Sequence, residues 1–194
     1  MSQDSEITSF SSSLPPAVLK ASSNLRLGGN VGFWIQLVLG VFAAVILLFA
    51  STSILGDQKA GEGDVFGLLC ATGGVVALIV SIVCFFRCRK IAQLMKVRDA
   101  VSRPKKSYTL QIINLGLIAN LIGMLSAIIG AEALVGLLLK KFLNLPQGAV
   151  ASAINPNDLL KAGEIMIILA NTHTIMCHFV GIVIALWLLN RINR

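Results

Sequence analysis

The sequence predicts an all-α integral membrane protein in which four transmembrane helices form a compact bundle with both termini cytoplasmic. Of its 194 residues, 56% are hydrophobic and only 13% are charged, against about a quarter charged in a typical soluble domain. Four apolar stretches, 31–55, 65–86, 110–139 and 165–190, contain a single formal charge, Glu132. Each stretch is long enough for the roughly 20 helical residues that cross a bilayer core about 30 Å thick. They are therefore predicted to be the spans.

The parts of the chain outside these spans are too short to form a soluble domain. The longest is the N-terminal segment 1–30, which we expect to be a flexible polar tail because it holds eight serines and because Pro15–Pro16 should break any long helix. Residues 31–190 then form one transmembrane domain, and 191–194 form a basic C-terminal end. This division excludes a soluble enzyme and a membrane anchor with a catalytic domain, and we expect no enzymatic activity and no cofactor.

The connections between the spans carry their own signals. We expect a tight hairpin at 56–64 and, after the second span, a helix over 87–101 that lies along the membrane surface. In the third connection, Asn155 and Pro156 are typical of a helix start.

The basic residues predict the orientation. If there are four spans, 12 of the 16 Lys and Arg lie on the side of both termini, and the side richer in Lys and Arg in short loops faces the cytoplasm. Most of them fall in the loop after the second span, which we interpret as a topology determinant that also contacts anionic lipid headgroups. Nucleic-acid binding is not expected. The basic residues assigned to topology or lipid contact are Arg87, Arg89, Lys90, Arg103, Lys105 and Lys106.

Small residues recur at helical spacing in the spans. Gly116, Gly123 and Gly130 follow one strip of the third span, and Gly181 lies on a strip of the fourth. Because small side chains let helices approach closely in lipid, we expect these strips to pack the bundle. The strips do not by themselves predict a pore.

Ionisable and amide side chains within the spans are the candidate functional residues. Glu132 lies in the outer part of the third span, and Asn171, His173 and His178 lie in the fourth. A buried carboxylate in a membrane is costly unless it is paired, protonated or hydrated. Glu132 with a histidine could form a hydrogen-bonded pair, a proton relay or two ligands of a divalent cation. Alternatively, Glu132 reaches the outer surface and the histidines bond neighbouring helices.

Three segments carry a family resemblance that covers nearly the whole chain, about 25–192. The chain resembles a cyanobacterial and plastid membrane family. This family includes the four-span inner-envelope component of the chloroplast protein-import translocon, also described as the permease in chloroplasts. The segments are LGGNVGFWIQLVLGVFAAVILLFA, NLIGMLSAIIGAEALVGLLLKKFL and ANTHTIMCHFVGIVIALWLLNRI.

The resemblance implies two different functions, iron permeation and protein import. The carboxylate and imidazole groups favour the first, because such ligands suit ferrous iron and a protein-conducting path does not need them. A subunit of an inner-membrane protein-import translocon is the alternative, and a non-conducting scaffold or assembly factor is a third. We expect a cyanobacterial plasma or thylakoid membrane, equivalent to the plastid inner envelope, and a homo-oligomer or membrane-protein partners.

The orientation can be tested by cysteine labelling from one side of a sealed membrane. Ser107→Cys and Gln58→Cys should react from opposite sides, because one span, 65–86, separates the connections that hold them. The parent chain, with its own four cysteines, is the labelling background. Reaction of both positions from the same side would overturn the predicted topology.

Overall fold

The residues that the structure describes form four long α-helices. A computed structural model describes residues 14–56, 61–97, 103–144 and 162–193. Each helix contains a window that is long and apolar enough to cross a membrane, which fits a multi-pass membrane protein. The helices are α1 (Pro16–Leu55), α2 (Glu62–Leu94), α3 (Lys106–Leu143) and α4 (Ala162–Asn193).

The first helix begins much earlier than the sequence predicts. Pro16 occupies its first turn, where proline is favoured because no intrahelical partner is needed for its missing N–H group. The following turns pack on the bundle: Leu25 is fully buried, and Ser22 Oγ donates a hydrogen bond to the Ala92 carbonyl at 2.7 Å. The expectation of a flexible tail over 1–30 is therefore wrong for 16–30, and 1–13 lie outside the described residues.

The second helix also continues past its apolar stretch, without a break, to Leu94. Its last turns hold Ile91 and Ala92, which are 3% and 1% exposed. Because these side chains pack inside the bundle, this part of α2 lengthens the bundle and does not lie along the membrane surface as predicted. The predicted helix start at Asn155 falls outside the described residues.

The helices form a ring in the order α1, α2, α3, α4, with α4 packed against α1. Across this ring, α2 and α4 also contact each other. A Cβ atom added to Gly74 of α2 would lie 3.1 Å from Thr174 Cγ2 of α4. The absence of a side chain at Gly74 therefore permits this diagonal approach.

Two apolar cores fill the bundle at different heights. We call the end with the beginnings of α1 and α3 and the ends of α2 and α4 the basic end, and the opposite end the far end. The basic-end core includes Phe85 and Leu188, and the far-end core includes Leu134 and Ile167. Polar side chains are buried between the two cores, and they form the candidate site.

The outer surface of the bundle is apolar on every helix. Because a membrane protein has no need to hide such side chains from lipid, this surface fits contact with acyl chains or with other membrane helices. Large exposed examples, one from each helix, are Phe42, Leu69, Ile122 and Phe179.

Candidate functional site

Four polar side chains, one from each helix, meet in the middle of the bundle. We call Gln36, Ser81, Asn120 and His178 the central cluster; each is 0% exposed. The cluster residue of α1, α2 and α4 lies between apolar residues in the sequence, on a helix that is long and apolar enough to cross a membrane. A polar side chain at such a depth finds no water, so its partners must come from the other helices.

Asn120 is the hub of the central cluster. Its Nδ2 group donates to Ser81 Oγ at 2.7 Å and to the carbonyl of Gly116, one turn earlier, at 2.8 Å. Its Oδ1 atom accepts from Gln36 Nε2 at 2.8 Å. Gln36 Nε2 donates in addition to the Cys177 carbonyl at 3.1 Å, and Ser81 Oγ donates to Gln36 Oε1 at 2.8 Å. These bonds tie α1, α2 and α3 to one another and to the backbone of α4.

His178 connects α4 to the same cluster through both ring nitrogens. Nε2 lies 3.1 Å from the Gly74 carbonyl oxygen, to which it donates when it carries the proton of the neutral ring. Nδ1 lies 2.9 Å from Asn120 Oδ1, which already accepts from Gln36. The ring thus bridges α2 and α3 from α4.

The proton count of the central cluster leaves one position open. The seven contacts just described each need one proton. Two amide groups, one hydroxyl and one neutral imidazole supply six. The contact without a proton is one of the two made by the His178 ring nitrogens, and the tautomer of the neutral ring decides which.

Glycines make room for these polar groups. A Cβ atom on Gly181 would lie 2.6 Å from Asn120 Oδ1 and would also overlap Gln36 Nε2. A Cβ atom on Gly123 would overlap the His178 ring and lie 2.8 Å from Ala77 Cβ. Both positions thus require glycine, because the central cluster occupies the space of a side chain.

The other two glycines predicted to pack the bundle also face a neighbouring helix. A Cβ atom would lie 3.1 Å from Cys84 Cβ at Gly116 and 2.7 Å from Cys70 Cβ at Gly130. The strip of α3 therefore lies against α2.

Gly123→Ala should destabilise the bundle, because the added methyl group displaces His178 from the Gly74 carbonyl. Overpacking of this kind costs about 1–3 kcal/mol, measured as the free energy of unfolding in mild detergent. Gly136→Ala is the matched control on the same helix, since a Cβ atom there meets nothing within 4 Å. Equal stability of the two variants would contradict the close packing at Gly123.

The residues proposed to line a metal path do not come together. Glu132 is exposed on α3 and is nine residues beyond Gly123, about 13 Å along the helix, whereas His178 packs against Gly123. His173 is half-buried, and its Nδ1 atom contacts the Leu169 carbonyl of its own helix at 2.9 Å. Within the described ranges, no group of three or more His, Cys, Asp or Glu side chains is placed to hold a metal ion. The metal role of these residues remains a prediction.

Buried acids occur instead at the far end. Glu164, in the first turn of α4, is 1% exposed and forms an ion pair with Lys141 near the end of α3. Asp64 of α2 is 5% exposed and accepts a hydrogen bond from the Gly61 N–H group at 2.9 Å. Carboxylates are favourable at both places because a helix N-terminus is positively polarised. These acids therefore stabilise helix starts.

Asn171 is buried between the central cluster and the far-end core. It is 0% exposed, and neither amide atom has a hydrogen-bond partner among the described residues. Its Nδ2 atom would lie 3.2 Å from a Cβ atom on Gly130, so the amide sits at the α3–α4 contact. Burying the Asn171 amide without a hydrogen-bond partner costs free energy. The Asn120 amide, in contrast, has hydrogen-bond partners for both of its polar atoms.

Substitution by leucine should change the free energy of unfolding differently at Asn120 and at Asn171. Asn120→Leu removes four side-chain contacts and leaves buried partners unpaired, and we expect a loss of about 2–3 kcal/mol in the free energy of unfolding. Asn171→Leu removes no hydrogen bond of the described structure and should leave stability within about 1 kcal/mol of the parent. Denaturant titration in detergent micelles measures both. A loss at Asn171 as large as that at Asn120 would contradict the assigned contacts.

Comparison with known proteins places the chain in a family. The model of the family described as "Protein of unknown function (DUF3611)" matches residues 15–193. The chain belongs to this family. It is also 28% identical over 177 residues to "Protein TIC 21, chloroplastic" from Arabidopsis thaliana, a match that covers 90% of this chain. The resemblance predicted from the sequence is thereby confirmed.

The match covers 58% of the length of the Arabidopsis protein, so this chain spans less than two thirds of that relative. No solved structure matches the chain.

Sequence reasoning found only part of the central cluster. It singled out His178 as a candidate functional residue, but not Gln36, Ser81 or Asn120. The available signal was a lone amide in an apolar span: Gln36 stands between Ile35 and Leu37.

Proposed function

We propose that this chain is a membrane-embedded subunit of a protein-import translocon in an inner membrane equivalent to the plastid inner envelope. The observation that carries the proposal is the similarity to the chloroplast protein TIC 21 over 90% of this chain. Because the unmatched tenth of the chain is shorter than any of the four helices that could cross a membrane, the similarity reaches each of them. It favours protein import over iron permeation, which the sequence alone favoured.

The interior of the bundle supports a role other than metal conduction by a single copy. The central cluster lies between the basic-end core, where Phe85 and Leu188 are 3% and 0% exposed, and the far-end core, where Leu134 and Ile167 are 1% and 0% exposed. An iron ion following the axis would have to shed its hydration to pass both apolar cores, which costs many kcal/mol. Glu132, the main residue of the proposed metal path, lies on the outside.

The outer surface supports a role in an assembly. All four helices present large apolar side chains, and membrane helices associate by packing such faces against one another. We propose that these faces contact further copies or other membrane subunits. We also propose that the basic end faces the cytoplasm or stroma, because short basic connections remain on that side.

Site-specific photo-crosslinking tests the import role. A photoreactive residue replaces Phe42, Ile122 or Phe179, which are about equally exposed and lie on three helices, in native membranes that hold a precursor arrested during import. At least one position should form an adduct with the precursor or with a translocon subunit, and a precursor adduct should disappear when the precursor is released. Ala127, which is 0% exposed, is the matched buried control.

Metal uptake by proteoliposomes separates the competing functions. Under the import proposal, vesicles with the purified protein take up ferrous iron no faster than empty vesicles. Iron uptake that falls in Glu132→Gln, together with no adduct at any exposed position, would overturn the import role and favour a permease. No adduct and no uptake would overturn it in favour of a scaffold.

A further inference from the structure

The basic end of the bundle contains an open cavity of about 580 Å³. Residues from α1, α3 and α4 line it, together with Met95 directly after α2. A volume of this size can hold a small-molecule group and not only water. The cavity is separate from the central cluster, because the basic-end core lies between them.

Three cationic side chains from three different helices face this cavity: Lys20 of α1, Lys106 of α3 and Arg191 of α4. No acidic residue lines it within the described ranges, and none of these three cations belongs to an ion pair recorded there. Like charges gathered around a space repel each other, so an anion between them would relieve that repulsion. The charge of the cavity therefore selects an anionic ligand.

The remaining walls of the cavity are aliphatic. Val18, Met95 and Ile192 contribute hydrocarbon surface next to the three cations. A ligand that satisfies both parts of the lining has an anionic group joined to an apolar body. Free phosphate has no apolar part and would leave these walls exposed to water.

The position of the cavity along the membrane normal also suits a ligand with an anionic group and an apolar body. Arg191 directly follows the apolar stretch 165–190, and Lys106 precedes the stretch 110–139 by four residues. At 1.5 Å per residue, both lie within about 6 Å of the hydrocarbon boundary. Lipid headgroups occupy this layer. Basic pockets between transmembrane helices are known to take anionic lipid headgroups.

We propose that this cavity binds the phosphate headgroup of an anionic phospholipid, with its glycerol and upper acyl region against the aliphatic walls. The Arg191 guanidinium group offers a planar pair of N–H donors that fits two phosphate oxygens, and the two lysines add point charges. This site is independent of the proposed import function. It goes beyond general attraction of a basic loop to lipid, because it requires a particular set of three cations.

Lipid binding to purified full-length variants tests the proposal. The cavity variant Lys20→Gln/Lys106→Gln/Arg191→Gln is compared with the control variant Arg26→Gln/Lys96→Gln/Lys140→Gln. The control loses the same net charge from described residues that lie outside the cavity lining and outside the set assigned to topology or lipid contact. Native mass spectrometry measures bound phosphatidylglycerol against phosphatidylcholine. The cavity variant should bind phosphatidylglycerol about tenfold or more weakly than the parent. The control variant should remain within about twofold of the parent.

The outcomes distinguish this site from its alternatives. Equal losses in both variants would assign binding to the overall basic charge, and an unchanged cavity variant would remove the cavity from lipid binding. Inorganic phosphate that binds with the same dependence on the three cations, without a preference for phosphatidylglycerol, would assign a soluble phosphate. If the triple variant does not fold, Arg191→Lys keeps the charge but removes the planar donor pair. It should lower phosphatidylglycerol affinity several-fold, and parent affinity would overturn the proposed geometry.

Discussion

Asn120 needs hydrogen-bond partners inside an apolar bundle, and this requirement constrains the rest of the structure. Lipid offers no donor or acceptor, so the side-chain partners of Asn120 must come from the other three helices. Gln36, Ser81 and His178 do so, with contacts of 2.7–2.9 Å to Asn120. That convergence fixes the rotation and register of all four helices. It also explains Gly123 and Gly181, since a methyl group at either position would occupy the space of the cluster.

A polar centre enclosed by two apolar cores gives the bundle a closed interior and an apolar exterior. Transport through one copy would require both cores to open, whereas association through the outer faces requires no rearrangement. The interior thus holds the helices in one arrangement, and the apolar outer faces fit the assembly role proposed above.

Charges are concentrated at the two ends of the bundle, where water and headgroups can solvate them. At the far end, Lys141 and Glu164 join α3 to α4. At the basic end, Lys20, Lys106 and Arg191 surround a cavity, and Arg89 lies 4.9 Å from the Phe33 ring centre. The same separation explains the position of Glu132: on the outer face near the far end of α3, its long side chain can extend toward the interface.

The sequence by itself determined that the described residues form four long helices and which of their small residues pack, because span length, hydrophobicity and helical spacing are local properties. It also identified His178 as a buried polar residue of interest. It did not determine that Pro16 starts a helix, since proline suits a first turn and also interrupts a helix, and only the packing of Leu25 decides between them. Nor could it show that Asn120 joins His178 while Glu132 turns outward. Partners on different helices depend on how each helix is rotated about its axis, and that rotation is set by the contacts of all four helices together.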